Sequence, residues 1–186
     1  MRSFSLALVA AMMLATPALS QLPYTQGASR VEVAGGFDYL HTTRVELCCF
    51  GMKGFSGTFA YNHNNNVAGV VDVRSASAGN IAGIGENLRL TTVMVGPRLT
   101  LRGKRLSPYA QLLVGLGRGS SNYPVNNGSA WAFSLGGGMD MRIKPHISWR
   151  VIEVTDLLTQ IKNGSNNQQS SVQLSTGIVF GFGDMR

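Results

Sequence analysis

The sequence is poor in the residues on which most catalytic and metal-binding sites depend. Its 186 residues include two cysteines, three histidines and nine acidic side chains, and charged residues make up 13% of the chain. A metal site needs several ligands close together, and His41 is the only histidine near the Cys48-Cys49 pair. We therefore predict that the protein holds no metal ion.

The three histidines also lack the neighbours that catalysis would require. Asn65 stands two positions after His63, where a histidine-x-serine hydrolase motif would place its nucleophile. His63 and His146 fall in expected turns, and His41 has no matching partner spacing. We interpret all three as solvated turn or loop residues. We assign no catalytic residue and predict that the protein is not an enzyme.

Long apolar runs are confined to the N-terminus. Arg2 precedes an apolar stretch over residues 4–14, and Ala18 and Ser20 supply the small residues of a signal-peptidase site. The sequence therefore predicts a signal peptide over 1–20 and one exported domain over 21–186. No later segment approaches the roughly 18 apolar residues of a transmembrane helix. The basic balance, +7 for the whole chain, suits anionic partners, but export excludes nucleic acid.

A strict alternation of side-chain types covers residues 130–143. The large apolar residues stand at odd positions, and small or charged residues stand at even positions. Side chains alternate between the two faces of a strand, so one face here is apolar and the other is polar. A soluble sandwich would bury the apolar face against a second sheet, whereas a membrane barrel turns it toward lipid.

The same alternation predicts eight strands along the mature chain. We place them at 30–39, 53–62, 67–77, 90–101, 107–118, 130–143, 147–156 and 171–182, with a bulge at Ile152-Glu153. Long connections (40–52, 78–89, 119–129, 157–170) alternate with short ones (63–66, 102–106, 144–146), as in bacterial outer-membrane barrels. The predicted fold is all-β, an eight-stranded antiparallel up-and-down transmembrane β-barrel with its short turns in the periplasm.

Four short motifs support this interpretation. They are Val-Gly-Pro-Arg (95–98), Pro-Tyr-Ala-Gln-Leu-Leu-Val-Gly (108–115), Leu-Gly-Gly-Gly-Met-Asp (135–140) and Gly-Ile-Val-Phe-Gly-Phe-Gly (177–183). In these four motifs the chain resembles the outer-membrane β-barrel domain family, which includes the membrane domain of outer-membrane protein A and the opacity-type surface proteins. The resemblance implies a structural, adhesive or small-pore role, no cofactor, and insertion by the barrel assembly machinery. Unlike many members, the chain continues beyond Phe182 and ends on Arg186 rather than on an aromatic residue.

Charges of both signs fall on the polar faces of the predicted strands. They are Glu32, Asp38, Asp72, Arg74, Arg98, Asp140, Arg142, Arg150 and Glu153. An eight-stranded barrel leaves a lumen that side chains can fill, so these groups are expected to form an ion-pair network that plugs it. The alternative is a narrow pore in which the charges set selectivity.

Two further sets of residues lie toward the predicted outer rim. Arg44, Lys53, Arg89 and Arg118 are candidates for contacts with lipopolysaccharide phosphates, with ordinary solvated charge as the alternative. Cys48 and Cys49 would form a vicinal disulfide in an oxidising compartment, or remain free or intermolecular thiols.

The predicted function is therefore that of a monomeric, integral barrel of the bacterial outer membrane with a structural or surface-interaction role, in contact with outer-membrane lipid. A narrow pore for small solutes or ions is the first alternative. A soluble secreted barrel that binds an apolar ligand is the second, and it would require apolar side chains to point inward.

Overall fold

The computed structural model describes residues 27–42, 50–81, 86–121, 128–160 and 169–185. These residues form eight strands: β1 (Ser29–Thr42), β2 (Phe50–Asn62), β3 (Val67–Ile81), β4 (Glu86–Thr100), β5 (Leu106–Ser121), β6 (Gly128–Lys144), β7 (Ile147–Thr159) and β8 (Gln169–Asp184). No helix long and apolar enough to cross a bilayer occurs in this part of the chain.

The strands close into one antiparallel barrel in sequence order. Each strand pairs with its neighbours, and β1 pairs with β8 over the register from Ser29–Asp184 to Thr42–Ser171. Closure leaves no open sheet edge, and lipid could not satisfy the hydrogen bonds of such an edge. The predicted fold class is confirmed.

The two faces of the sheet carry the side chains that the alternation predicts. Leu135 on β6 is 54% exposed, whereas its neighbour Ser134 is 1% exposed. Leu174 and Gln173 on β8 show the same contrast. Large apolar side chains therefore cover most of the outside of the barrel and most charged side chains of the mid-strand positions face the lumen, which is the reverse of a soluble barrel that holds an apolar ligand.

The strands extend farther toward the outer connections than the sequence indicates. β3 continues to Ile81 and β4 begins at Glu86, so only residues 82–85 connect them, whereas the sequence predicted a long loop over 78–89. The outward positions here hold Ser75, Ser77 and Arg89, which give no apolar alternation. Strand pairing with neighbours continues where the hydrophobic pattern has ended. The three short turns lie where they were predicted, at 63–66, 101–105 and 145–146, to within one residue.

The predicted bulge is present on β7. Asp140 pairs with Arg150 and Met139 pairs with Ile152, so Val151 has no partner on β6. The β7–β8 register shifts between Arg150 and Glu153. One extra residue in β7 therefore resets the alternation at the point where it failed in the sequence.

An apolar layer fills part of the lumen. Leu40, Met52, Met94 and Leu113 are almost fully buried and pack together with smaller residues. Leu40 lies on the outer-connection side of Asp38, and Leu113 on the same side of Gln111. These apolar side chains thus lie in the lumen toward the outer connections, beside buried polar residues such as Gln173 and Ser134, a feature that the sequence did not predict.

Candidate functional site

A network of buried charged and polar side chains crosses the lumen. We call it the central network, and it consists of Asp38, Asp72, Arg74, Arg98, Tyr109, Gln111, Asp140, Arg150 and Glu153. Each of its side chains projects inward because it stands at the polar positions of a strand with alternating faces.

Arg74 on β3 is one centre of this network. Its Nε donates to Asp72 Oδ1 at 2.6 Å, and its Nη1 donates to Ser175 Oγ at 3.1 Å. Its Nη2 donates to a carboxylate oxygen of Glu153 on β7. β3 and β7 are four strands apart in a barrel of eight, so this ion pair joins opposite walls.

Glu153 is the second centre. Besides Arg74, its carboxylate accepts hydrogen bonds from Tyr109 Oη at 2.5 Å, Gln111 Nε2 at 3.1 Å and Arg150 Nη1 at 3.0 Å. A buried carboxylate is costly unless cations and hydrogen-bond donors surround it. Thr155 Oγ1 also donates to the Glu153 carboxylate at 3.4 Å, so Glu153 has two cations and three neutral donors, and its charge is compensated in place.

The ring of Tyr109 lies between two guanidinium groups. Cζ of Arg98 is 4.6 Å from the ring centroid and Cζ of Arg150 is 4.9 Å from it. Arg98 also donates to Gln111 Oε1 at 2.7 Å, and Arg150 donates to Asp140 Oδ1 at 3.0 Å. Both guanidinium groups therefore make cation–π contacts with Tyr109.

Gly138 on β6 provides the space that Tyr109 needs. A Cβ at this position would lie 2.7 Å from Tyr109 Oη and 2.5 Å from the carbonyl oxygen of Ile152. Moving Tyr109 could relieve the first contact, which involves its side chain, but not the second, which involves the backbone of Ile152. The network therefore requires a glycine at position 138, the third glycine of the Leu-Gly-Gly-Gly segment.

Asp38 is the least compensated member. Its side chain is fully buried, and the nearest cation is Arg74, whose Nη1 is 3.9 Å from Oδ1. Among the described residues, neither of its carboxylate oxygens accepts a hydrogen bond. Four carboxylates (Asp38, Asp72, Asp140, Glu153) face three arginines (Arg74, Arg98, Arg150) in this network.

A separate group, the turn-side cluster, lies nearer the short turns. Arg102 donates to Glu32 Oε1 at 2.7 Å and to Asn62 Oδ1 at 3.1 Å, and its Nε donates to the carbonyl of Asn65. Glu32 and Arg102 also line a cavity of about 40 Å³ with Arg142 and Asp140. The structure therefore places Glu32 and Arg142 at the mouth of the lumen, apart from Arg74.

The network predicted from the sequence lacks Tyr109, Gln111 and Arg102. Tyr109 and Gln111 both stand at inward positions of β5, so the alternation along that strand could have placed both in the lumen. Arg102 lay in a predicted turn, and no pattern in the sequence indicates that it folds back toward Glu32.

Three of the four predicted rim cations lie on one outward face. Ser77 pairs with Lys53 on one side and with Arg89 on the other, and Arg89 pairs with Ser120. Arg118 is two residues from Ser120 on the same exposed face. Arg44, Cys48 and Cys49 lie outside the described residues.

The histidines lie apart from the networks. His63 and His146 are exposed in short turns, and His41 is exposed near the end of β1. In the part of the chain that the structure describes, no three His, Cys, Asp or Glu side chains are grouped as a metal ion would require.

Comparisons with known proteins agree with this architecture. The sequence profile of the outer membrane protein beta-barrel domain matches residues 4–180. No curated protein matches the sequence. Several crystal structures are similar over most of the chain, at identities that establish the fold alone.

Neisserial surface protein A has a TM-score of 0.65 at 15% identity, covering 84% of this chain and 100% of its own. Ail, the attachment invasion locus protein of Yersinia pestis, has a TM-score of 0.60 at 14% sequence identity. The match covers 83% of this chain and 99% of Ail. The outer membrane protein OprG from Pseudomonas aeruginosa has a TM-score of 0.59 at 12% sequence identity. The match covers 85% of this chain and 98% of OprG. With its profile match over most of its length, this chain belongs to the outer membrane protein β-barrel domain family.

Proposed function

We propose that the protein is a monomeric surface barrel of the bacterial outer membrane whose lumen is closed and whose outer end makes the functional contacts. The contact between Arg74 and Glu153 carries the first part of this proposal. This ion pair joins opposite walls of the barrel, so it occupies space in the lumen that an open channel would fill with water.

The surroundings of that ion pair support closure. Tyr109 and Gln111 reach Glu153 from β5, so the bonds come from three directions. Leu40 and Leu113 belong to the apolar layer on the outer side of the network. An ion that crossed the lumen would have to displace charged groups and then pass apolar ones, and each step is costly.

Three cations near the outer rim support the proposal that the outer end of the barrel makes the functional contacts. Lys53, Arg89 and Arg118 are exposed on the outward face, and no described acidic residue pairs with them. Their position near the outer connections suits contacts with lipopolysaccharide phosphates, which Lys and Arg bind well. Arg44 is proposed to join them.

The route to the membrane follows from the sequence. We propose that residues 1–20 are removed as a signal peptide and that residues 21–186 are inserted by the barrel assembly machinery. The turns at 63–66, 101–105 and 145–146 would then remain in the periplasm, and the other four connections would face outward.

Single-channel recording tests the closed lumen. The purified barrel in a planar bilayer should show little or no steady conductance. Arg98→Ala removes the bonds to Gln111 and should lower stability more than it changes the current. Lys53→Ala, on the outer face, is the matched control. Stable, ion-selective channels in the unaltered protein would overturn the closed lumen and favour the narrow pore.

A further inference from the structure

Three exposed cations form a patch on the short turns that the lumen networks do not use. We call it the basic turn patch, and it consists of Lys104 and Arg105 between β4 and β5, and Lys144 at the end of β6. No described carboxylate forms an ion pair with any of the three. Their charge is therefore available to a partner.

The backbone holds these two turns side by side. Gly103 N donates to Leu106 O at 3.1 Å, which closes the first turn. Arg142 N donates to Arg105 O at 2.8 Å, which ties that turn to the end of β6. Because Leu106 pairs with Met141, the first turn lies beside residues 142–144. The three cations thus belong to one surface.

Nearby acidic groups cannot neutralise this surface. Glu32 is bonded to Arg102, and Asp140 is bonded to Arg150. The remaining described carboxylate at this end is Asp184 on β8, which is separated from β6 by the whole of β7. A cluster of like charges without counterions attracts an anionic partner.

The patch borders directly on the apolar outer wall. Leu106 and Ile143 stand next to Arg105 and Lys144 in the chain and are strongly exposed, as is Leu101. A partner that fits both surfaces must place an anionic group beside an apolar chain. A phospholipid has this arrangement, whereas a soluble anion or a polar polymer would use only the cations.

We propose that the basic turn patch binds the phosphate groups of anionic phospholipids in the leaflet that surrounds the short-turn end of the barrel. Each cation near such a surface contributes about a fivefold gain in binding. The contribution should fall as salt shortens the Debye length below its value of about 8 Å at physiological ionic strength. The assignment to the inner leaflet of the outer membrane rests on the proposed orientation.

The two tryptophans of the chain make the inference measurable. Trp149 stands near the start of β7 and pairs with Met141, the partner of Leu106, so it lies close to the patch. Trp131 lies near the opposite end of β6, and both side chains are exposed to lipid. Trp131→Phe and Trp149→Phe each leave one tryptophan as a local probe.

The experiment measures quenching by brominated lipids in vesicles of phosphatidylcholine with a minor fraction of phosphatidylglycerol. Brominated phosphatidylglycerol should quench Trp149 at least fivefold more effectively than brominated phosphatidylcholine at equal mole fraction. The preference should fall to parity in K104Q/R105Q/K144Q and at high salt. The control K53Q/R89Q/R118Q, which removes the same charge from the opposite end, should retain it.

Equal quenching by the two lipids in the unaltered protein would overturn the inference, as would a preference that survives K104Q/R105Q/K144Q. Binding to purified peptidoglycan that requires the three cations, without any lipid preference, would assign the patch to that polymer instead. The vesicles have identical leaflets, so the result does not depend on orientation or conductance. Absence of quenching by brominated phosphatidylcholine would instead contradict the membrane barrel itself.

Discussion

Arg150 and Glu153 point into the same lumen although three positions separate them along β7. In a regular strand, residues three apart face opposite sides of the sheet. Here Val151 is the extra residue of a bulge, and Arg150 Nη1 lies 3.0 Å from Glu153 Oε2. The bulge therefore places both charges in the central network.

Deletion of Val151 should be tolerated. It removes the unpaired residue and leaves Arg150, Ile152 and Glu153 in regular alternation, so no side chain changes face. Deletion of Val154 should prevent folding, because it leaves the bulge in place and reverses the faces of the residues beyond it. Resistance to SDS before heating, with a mobility shift after boiling, distinguishes the two. Equal behaviour of the two deletions would contradict the role given to the bulge.

Removal of Arg74 should be more harmful than removal of its partner. Arg74→Met leaves Asp38, Asp72 and Glu153 buried without their shared cation, and breaking such a pair costs about 3–5 kcal/mol. Glu153→Gln should cost less, since Arg74 keeps Asp72. The double variant should cost less than the sum of the two.

Reversible urea unfolding in lipid vesicles gives these values as a double-mutant cycle. Arg89→Met, an exposed outer-face substitution, serves as the control and should change the free energy of unfolding by less than about 1 kcal/mol. Additive effects of the two network variants would show that Arg74 and Glu153 are not coupled.

Gly138→Ala should destabilise the barrel through Tyr109. The new Cβ would meet Tyr109 Oη at 2.7 Å, and overpacking of this kind costs about 1–3 kcal/mol. Tyr109→Phe removes that oxygen, so part of the loss should disappear in the double variant. Gly57→Ala is the matched control, since nothing lies within 4 Å of a Cβ there. If Gly138→Ala left the free energy of unfolding unchanged, the network could accommodate a Cβ at this position.

The sequence predicted the faces of the barrel better than its internal contacts. Alternation is local, so Leu135 and Ser134 could be assigned from their immediate neighbours. The partner of Arg74 could not, because Glu153 is 79 residues away and Ser175 is 101 residues away. Which inward residues meet depends on register and closure, and these are properties of the whole sheet.

Two other features escaped prediction for related physical reasons. β3 and β4 extend beyond their apolar alternation because hydrogen bonding between neighbours needs no particular side chain, so the connection 82–85 is shorter than expected. Leu40 and Leu113 occupy inward positions of strands whose other inward residues are polar or small. The polar composition of the inward positions as a whole concealed the apolar layer.

The orientation can be tested with inserted tags. A tag after residue 126, between β5 and β6, should be accessible to antibody and protease on intact cells. A tag after residue 104, in the turn between β4 and β5, should be accessible only after the outer membrane is permeabilised. Cleavage at 104 in intact cells, with none at 126, would reverse the proposed orientation.

The assignment of faces makes a depth-dependent prediction on a single strand. Leu135, near the middle of β6, should face the bilayer centre, where an arginine on the lipid side costs about 2–4 kcal/mol. Ile143, exposed near the end of the same strand, should tolerate Ile143→Arg at about 0–1 kcal/mol. Leu174→Arg on β8 should behave like Leu135→Arg.

The inward neighbours supply the comparison. Ser134→Arg and Gln173→Arg add a charge to a narrow lumen that already holds carboxylates, so the cost should come from crowding rather than from lipid exposure. Unfolding in lipid vesicles measures all five variants. The lipid-face costs should follow depth, with Leu135→Arg far above Ile143→Arg, because the charge at Ile143 can reach water. If Leu135→Arg and Leu174→Arg were neutral while Ser134→Arg and Gln173→Arg abolished folding, the outer wall would not be in contact with lipid.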